Sequence, residues 1–265
     1  MNRLILVTLA AGALGCAAAA QPPRERLRER IQERFHPHPS ATLYDATVVL
    51  ADLSNIPAKG IPAKLMADAH GVAVIPKVLK AGFVVAGSGG RGLVIARDKD
   101  GGWGDPAFIR FGGGSVGFQV GVESTDVVLV FRDRKSLDRL LDGRGAKLTL
   151  GADAGVAAGP VGRQAMAGTD FKLEAEVLSY SRSRGLFAGV AFDGSVLHPD
   201  ADANATFRAD ARPEVARQVA ALREVLAAMS AATPPARPIT VAPAAPGVLM
   251  PPAPPPPAPA VPPQP

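Results

Sequence analysis

The sequence has 265 residues, of which 47% are hydrophobic and 5% aromatic, enough for one sizeable domain with tails. Its formal net charge of +5 favours anionic partners such as phospholipid headgroups, nucleic acid or acidic polymers, without choosing among them. Because Cys16 is the only cysteine, the chain excludes an intramolecular disulfide and a cysteine-based zinc site.

The first twenty residues have the pattern of an export signal. Arg3 gives a positive start, residues 4–10 form a short apolar run, and residues 18–20 are small alanines at a cleavage point. The apolar run is too short to span a bilayer, which takes about 20 apolar residues. Cleavage after residue 20 is favoured over lipidation at Cys16, because Ala13 stands where lipoproteins usually have a larger aliphatic residue. The sequence therefore predicts an exported protein of the periplasm or cell envelope, attached peripherally to a membrane.

Residues 21–39 combine basic charge with a narrow apolar stripe. Leu27, Ile31 and Phe35 recur at every fourth position and so share one face of a predicted helix. The flanking arginines are Arg24, Arg28, Arg30 and Arg34. This arrangement is typical of a helix that lies in a membrane interface, with its apolar face in the lipid and its arginines at the headgroups. A solvated charged linker, or a helix docking these apolar side chains on the domain, is the alternative.

Residues 40–230 have the pattern of one folded domain. Apolar spacing predicts a helix from Ser40, as N-cap, to Asn55, and a short helix over 63–69 after Pro62. Further helices are predicted over 133–141 and 200–208 and from Pro213 onward. Strands are predicted over 72–75, 83–86, 93–96, 103–111, 115–122, 126–131, 146–150, 156–162, 171–181, 186–192 and 195–198. Because many glycines interrupt the strands, we expect an α+β fold with a curled, mostly antiparallel glycine-rich sheet or barrel-like β core and flanking helices.

Residues 231–265 differ in composition from the rest of the chain. Fifteen of these 35 residues are proline, and Arg237 is their only charged side chain. Such a segment cannot bury a core, so we predict a disordered, largely polyproline II tail. A spacer through the cell envelope is favoured over a ligand for a proline-binding module.

No motif predicts catalysis. The run Gly87–Gly92 satisfies the G-x-G-x-x-G pattern, but a strand and not a helix follows it, so the phosphate site of a dinucleotide-binding fold is missing. A glycine-rich hairpin with a close backbone neighbour is the better interpretation. The four histidines lack metal-ligand spacing, and the pair His36 and His38 is separated by proline in a linker. We therefore expect no enzyme activity, no cofactor and no metal site.

Basic residues at predicted strand ends are the candidate binding residues. They are Lys77, Lys80, Arg91, Arg97, Arg110, Arg182 and Arg184. If several share one face they form an anion-binding patch, and scattered solvated charges are the alternative. With Leu27, Arg28, Ile31, Arg34 and Phe35 of the N-terminal helix, they make up the predicted lipid-binding set.

Several of these segments together resemble the SYLF domain family. The motifs are KAGF at 80–83, GLV at 92–94, AR at 96–97, GWGDP at 102–106, the segment 114–128, AAGPVGR at 157–163 and YSRSRGLFAGVAFDG at 180–194. The resemblance covers about residues 40–208. It implies a module that binds membrane lipid, similar to relatives that bind phosphoinositides through an N-terminal amphipathic helix and basic residues. Some relatives also bind and bundle actin.

The function expected from these observations is non-enzymatic binding to anionic phospholipid membranes, phosphoinositide-like or otherwise acidic. We expect no nucleic-acid partner, and for an exported protein the anionic phospholipid of the envelope is the natural ligand. The alternative function is a structural cell-envelope protein that contacts another protein or cell-wall polymer through its proline-rich tail.

Overall fold

The structure is a computed structural model, and it describes residues 38–55, 60–82, 85–116, 121–142, 146–160, 175–183, 186–189, 192–231 and 241. The predicted export signal, the segment 21–37 and most of the proline-rich tail lie outside these residues. The predicted domain limits therefore stay predictions.

The described chain contains five helices and nine strands. The helices are α1 (Pro39–Ser54), α2 (Ala63–Ala67), α3 (Arg134–Leu141), α4 (Ala201–Ala209) and α5 (Pro213–Ser230). The strands are β1 (Gly71–Gly82), β2 (Val85–Arg97), β3 (Trp103–Val116), β4 (Gly121–Phe131), β5 (Leu148–Thr149), β6 (Val156–Ala158), β7 (Val177–Ser183), β8 (Leu186–Gly189) and β9 (Val196–Pro199). This α+β content confirms the predicted fold class.

Short polar residues fix where the helices begin. Asp133 and Asp200 are the N-caps of α3 and α4, and each side chain accepts a hydrogen bond from a backbone N–H of the first turn. The expectation that Ser40 caps α1 is wrong. Pro39 occupies the first turn, where its missing N–H costs nothing, and the ring nitrogen of His38 accepts the N–H of Ser40 instead.

The strands form one mostly antiparallel sheet. Its order is β5-β9-β3-β2-β1-β4-β7-β6, β8 pairs with β7 as well, and only the β6–β7 pair is parallel among the strands described. Three predicted strand breaks are wrong, because residues 87–92 lie inside β2, residues 112–114 inside β3 and residues 123–125 inside β4. Gly87–Gly92 lies inside β2, paired in continuous register with β3, and is not a hairpin. Residues 112–114 likewise lie inside β3, so glycine pairs with glycine across the two strands.

Short connections show that the sheet is strongly curled. Eight strands side by side in a flat sheet would separate β5 from β6 by about 34 Å. The seven steps from Thr149 to Val156 reach at most about 25 Å, even fully extended. That connection is also turned, because the N–H of Gly151 bonds the carbonyl oxygen of Ala154 at 2.8 Å. The two ends of the sheet must therefore curl towards each other.

The curl gives the sheet an inner and an outer face, and both are buried over much of their area. The inner face packs around α3 and the connections that join the sheet edges, with Leu137, Leu150 and Phe192 in its core. The outer face is covered by α1, α2, α4 and α5. In β2, Leu93 and Ile95 point to the outer face and Val94 to the inner face. Side chains of alternating positions can thus be assigned to one face or the other.

A close backbone approach explains one of the glycines in β2. A Cβ added to Gly92 would lie 2.2 Å from the carbonyl oxygen of Val74 and 2.8 Å from the Cα of Ile75. Strand β1 bulges at this level, between Val74 and Leu79. The expected close neighbour of the glycine run is therefore the backbone of β1.

Candidate anion-binding surface

Four of the predicted basic residues lie along the outer face, at the border of the area that the helices cover. Arg91 and Arg110 are directly opposite each other on β2 and β3. Lys77 and Arg182 lie on the same face, further along the sheet towards β6, on β1 and β7. The structure thus brings these four residues to one face, in two pairs.

The first pair converges on a buried carboxylate. Asp200 is 1% exposed, and its oxygens lie 3.1 Å from Nη1 of Arg91 and 2.9 Å from Nη2 of Arg110. Burial raises the pKa of Asp200, but the hydrogen bonds from Arg110 and from the N–H of Ala203 outweigh it, so the pKa lies below its ordinary value. Two opposed cations on neighbouring strands repel each other, and this carboxylate makes the arrangement stable.

The second pair is organised by another carboxylate, Asp126 on β4. One oxygen accepts the N–H of Lys77 at 2.9 Å, and the other lies 2.9 Å from Nη2 of Arg182. Both cations also reach α1, where Nζ of Lys77 lies 2.8 Å from Asp45 and Nη1 of Arg182 lies 2.6 Å from Asp52. Lys77 has a φ of +53°, which is unusual for a residue with a side chain. The bond to Asp126 holds it in that conformation, and the ion pairs fasten α1 to the sheet.

Arg97 lies apart from these four residues and has different contacts. Its guanidinium donates to the carbonyl oxygens of Met66 and Ala69 and to the hydroxyl of Ser230, at 3.0–3.2 Å. It also stacks on Trp103, 4.2 Å from the ring centroid. Burial lowers the pKa of Arg97. Because its acceptors stand at the C-terminal ends of α2 and α5, the charge is favourable to both helices.

The remaining predicted residues are divided between the inner face and the undescribed chain. Nζ of Lys80 lies 5.5 Å from the ring centroid of Phe192, which belongs to the inner core. The residues that lie outside the described part of the chain are Arg184, Leu27, Arg28, Ile31, Arg34 and Phe35.

Most of the net positive charge of the chain lies outside residues 38–230. Residues 38–230 contain 22 basic and 21 acidic side chains, whereas residues 21–37 contain five basic and three acidic ones. The four outer-face cations have five carboxylates around them, belonging to Asp45, Asp52, Asp126, Asp200 and Asp202. The local surface is therefore electrically balanced, and three of the five net positive charges of the chain precede α1.

Bare backbone lies beside the Arg110 cluster on the outer face. Gly87, Gly89, Gly112 and Gly114 all face outward, paired across β2 and β3. We call these four residues the glycine window. Added Cβ atoms at Gly87, Gly112 and Gly114 would meet nothing within 4 Å, and at Gly89 only an ordinary contact of 3.8 Å. Unlike Gly92, the window is not explained by a close neighbour in the described part of the chain.

The acidic partners are the residues that the sequence did not reveal. Asp200 begins a predicted helix, so its role as an N-cap could be predicted from the sequence. Its pairing with Arg110 joins positions 90 residues apart, and the bond from Arg182 to Asp52 joins positions 130 apart. No local pattern signals such pairs, because they depend on how α1 and α4 cross the sheet.

Comparison with known proteins supports the resemblance that the sequence motifs of this domain indicate. The Ysc84 family, described as "Las17-binding protein actin regulator", matches residues 112–239. This match supports the SYLF (Ysc84) family that the sequence motifs indicate. It is 40% identical over 153 residues to the SH3 domain-containing YSC84-like protein 1 of Homo sapiens, covering 58% of this chain and 44% of that protein. The same identity and coverage hold for the protein of that name in Rattus norvegicus.

A yeast relative shows the same partial coverage. LAS seventeen-binding protein 3 of Saccharomyces cerevisiae is 38% identical over 152 residues, which cover 57% of this chain and 32% of that protein. The chain thus spans less than half the length of these SYLF relatives. The name of the yeast protein describes a binding protein, and the description of the family names an actin regulator. No solved structure matches the chain.

No helix in the described ranges is long and apolar enough to cross a bilayer. Within the same ranges, no group of three histidine, cysteine or acidic side chains is placed to hold a metal ion.

Proposed function

We propose that this SYLF protein is a non-enzymatic, exported protein that binds the surface of anionic phospholipid membranes. Family membership supports a binding role, because its relatives are named as binding and regulatory proteins. The observation that carries the membrane proposal is the segregation of charge, since a nearly neutral domain is preceded by a basic segment with an apolar stripe.

The proposed mechanism assigns the main attraction to residues 21–37. Each basic residue near an anionic surface contributes about 1 kcal/mol, so the two net charges of this segment give weak attraction alone. Leu27, Ile31 and Phe35 add apolar burial at about 25 cal/mol per Å². Shallow insertion and headgroup attraction together make a reversible peripheral attachment.

Vesicle flotation of the full chain tests this function. We expect binding to phosphatidylcholine vesicles that contain phosphatidylglycerol, weaker binding at high salt, and little binding to phosphatidylcholine alone. Deleting residues 21–37 should lower the partition into anionic vesicles at least tenfold. Equal binding to neutral and anionic vesicles at both salt concentrations would rule the proposal out.

Two matched variants separate the parts of the mechanism. Replacing Arg28 and Arg34 by glutamine removes charge and keeps the apolar stripe, so the remaining binding should lose most of its salt dependence. Replacing Leu27, Ile31 and Phe35 by alanine keeps the charge, so binding should weaken while its salt dependence remains. If neither variant differs from the parent protein, the segment is not the membrane contact.

A second candidate is a structural envelope protein that acts through residues 231–265. One observation favours it: Val241 is half-buried and packs against the outer core, so the proline-rich segment is held to the domain at that point. Deleting residues 242–265 distinguishes the two functions. Lost envelope localisation with intact vesicle binding would favour the structural role.

A further inference from the structure

The inner face of the sheet carries a basic residue whose charge is not neutralised within the described part of the chain. The basic residues on the described strands are Lys77, Lys80, Arg91, Arg97, Arg110 and Arg182. All except Lys80 make hydrogen bonds or ion pairs. The ammonium of Lys80 instead lies 5.5 Å from the ring centroid of Phe192 in the inner core. Because a half-buried charge without a counter-charge is unfavourable, an anionic ligand would supply what the fold leaves out.

Lys80 belongs to a row of small polar positions that crosses the inner face. It is in register with Ser88 on β2, and Ser88 is in register with Gly113 on β3. Gly113 follows Phe111 of the inner core by two residues and so faces inward, and Ser195, just before β9, borders it. Lys80, Ser88 and Gly113 are half-buried, so the row stands where the inner core meets solvent. We call Lys80, Ser88, Gly113 and Ser195 the inner rim.

A buried hydroxyl of the inner rim lacks a hydrogen-bond partner. Ser195 is 6% exposed, and its backbone groups bond those of Phe192 and Leu150, but its Oγ makes no hydrogen bond with the described residues. Native proteins rarely bury a hydroxyl in this way. The Oγ atoms of Ser88 and Ser195 each lie 2.8 Å from the position of a Cβ added to Gly113. The bare backbone of Gly113 therefore leaves a recess between two hydroxyls, which a side chain there would fill.

An aromatic surface and the count of donors indicate which anion suits this recess. The ring of Phe192 packs edge-on against Phe111, with centroids 5.8 Å apart, and offers an apolar contact beside the ammonium of Lys80. The hydroxyl of Ser88 already donates to the carbonyl oxygen of Gly113 at 3.1 Å. One ammonium and the hydroxyl of Ser195 remain as donors, and they match the two oxygens of one carboxylate. A phosphate dianion would bring more negative charge than a single cation balances.

We propose that the inner rim binds a small monocarboxylate with an aromatic or short aliphatic body. The ammonium of Lys80 and the hydroxyl of Ser195 hold the carboxylate in the recess at Gly113, and the carbon body contacts the ring of Phe192. Small-molecule sites commonly combine an apolar lining with a few placed polar groups. The site lies on the opposite face of the sheet from the outer-face cations and needs no lipid.

Fluorine NMR of 4-fluorobenzoate with the full chain tests the proposal. A ligand of about ten non-hydrogen atoms binds a shallow site with a Kd of about 1 mM, which broadens its fluorine signal. Benzoate should displace the probe, whereas the uncharged benzamide should need a concentration at least about tenfold higher. Inorganic phosphate should displace it no better than chloride at equal ionic strength. Absence of broadening, equal displacement by benzamide, or displacement by phosphate at the concentration of benzoate would each overturn the proposal.

Variants of the full chain locate the binding of the probe. Lys80→Gln should weaken it about tenfold or more, as expected for one lost charge-assisted hydrogen bond, and Ser195→Ala about fivefold. Gly113→Ala should abolish binding, because the added Cβ fills the recess. Lys99→Gln removes the same charge from an exposed turn and is the matched control, with less than about a twofold effect. Glu123→Gln should tighten binding, because Glu123 is in register with Lys80 on β4 and its charge opposes an anion.

Two controls keep the result decisive. Melting midpoints show whether each variant is folded, and Ser195→Ala, which removes a single oxygen atom, carries the test if Gly113→Ala does not fold. Equal loss of probe binding in Lys80→Gln and Lys99→Gln would overturn the site. Partition into anionic vesicles should be the same for these two variants, because Lys80 faces the inner core. A larger loss of vesicle binding in Lys80→Gln, with probe binding unchanged, would make Lys80 a membrane contact and refute the carboxylate site.

Discussion

Replacing Gly92 by alanine should strongly destabilise the domain. The new Cβ would lie 2.2 Å from the carbonyl oxygen of Val74, whereas carbon and oxygen normally approach to about 3.3 Å. Relief requires a shift of about 1 Å in β1. That strand cannot move freely, because Val74 pairs with Leu93 on one side and Val128 on the other. Overpacking of this kind costs about 1–3 kcal/mol, and a disturbed ladder hydrogen bond adds about 1 kcal/mol.

Gly87→Ala is the matched control in the same strand. An added Cβ there meets nothing within 4 Å, and glycine in a strand interior is about 0.5–1 kcal/mol less favourable than alanine. We therefore expect a loss of about 3 kcal/mol for Gly92→Ala and a small gain for Gly87→Ala. Urea unfolding followed by fluorescence measures both, because Trp103 is the only tryptophan and is 8% exposed. Equal unfolding midpoints for the two variants would refute the close-approach explanation.

Two further predictions concern the charged clusters. Asp200→Ala should lower the free energy of unfolding by about 3 kcal/mol, because it leaves Arg91 and Arg110 without their carboxylate and α4 without its cap. The control Asp202→Ala should change it by less than about 0.5 kcal/mol. The pKa of Asp200 is lowered on folding, so its contribution to the free energy of unfolding is present above the ordinary pKa near 4 and is lost as the pH falls through the folded value. In urea titrations, the difference in unfolding free energy between the parent protein and Asp200→Ala should therefore shrink only below about pH 4. Arg97→Lys should cost about 1–2 kcal/mol by thermal unfolding, because an ammonium cannot reach Ala69, Met66 and Ser230 at once; an unchanged midpoint would contradict the assigned contacts.

Local sequence patterns were sufficient to predict where the helices lie and which of their side chains are buried. Pro213 begins α5 as predicted, and Leu137 and Leu140 are buried in α3, because capping and apolar spacing act within a few residues. The strands were harder to delimit. Glycine is a turn signal in most sequences, yet here Gly87–Gly92 continues β2 because β1 and β3 supply the ladder on both sides. A tertiary contact, the approach of Val74, overrides the local preference.

The candidate surface was predictable only in part. Arg91 and Arg110 were recognisable as basic residues near glycines, but their common face depends on strand register, which one sequence does not determine. Their neutralisation by Asp200 was not predictable, because it requires the position of α4 on β3. The sequence therefore overestimates how much cationic surface the folded domain offers.

The balance of charge within the domain follows from how its helices are attached. Cations beside a helix-covered core are partly desolvated, and an unpaired charge there would be costly, so α1 and α4 bring carboxylates to Arg182 and Arg110. A domain built this way cannot also present those cations unneutralised to a membrane. In the proposed function, long-range attraction is therefore assigned to residues 21–37, which carry two net positive charges.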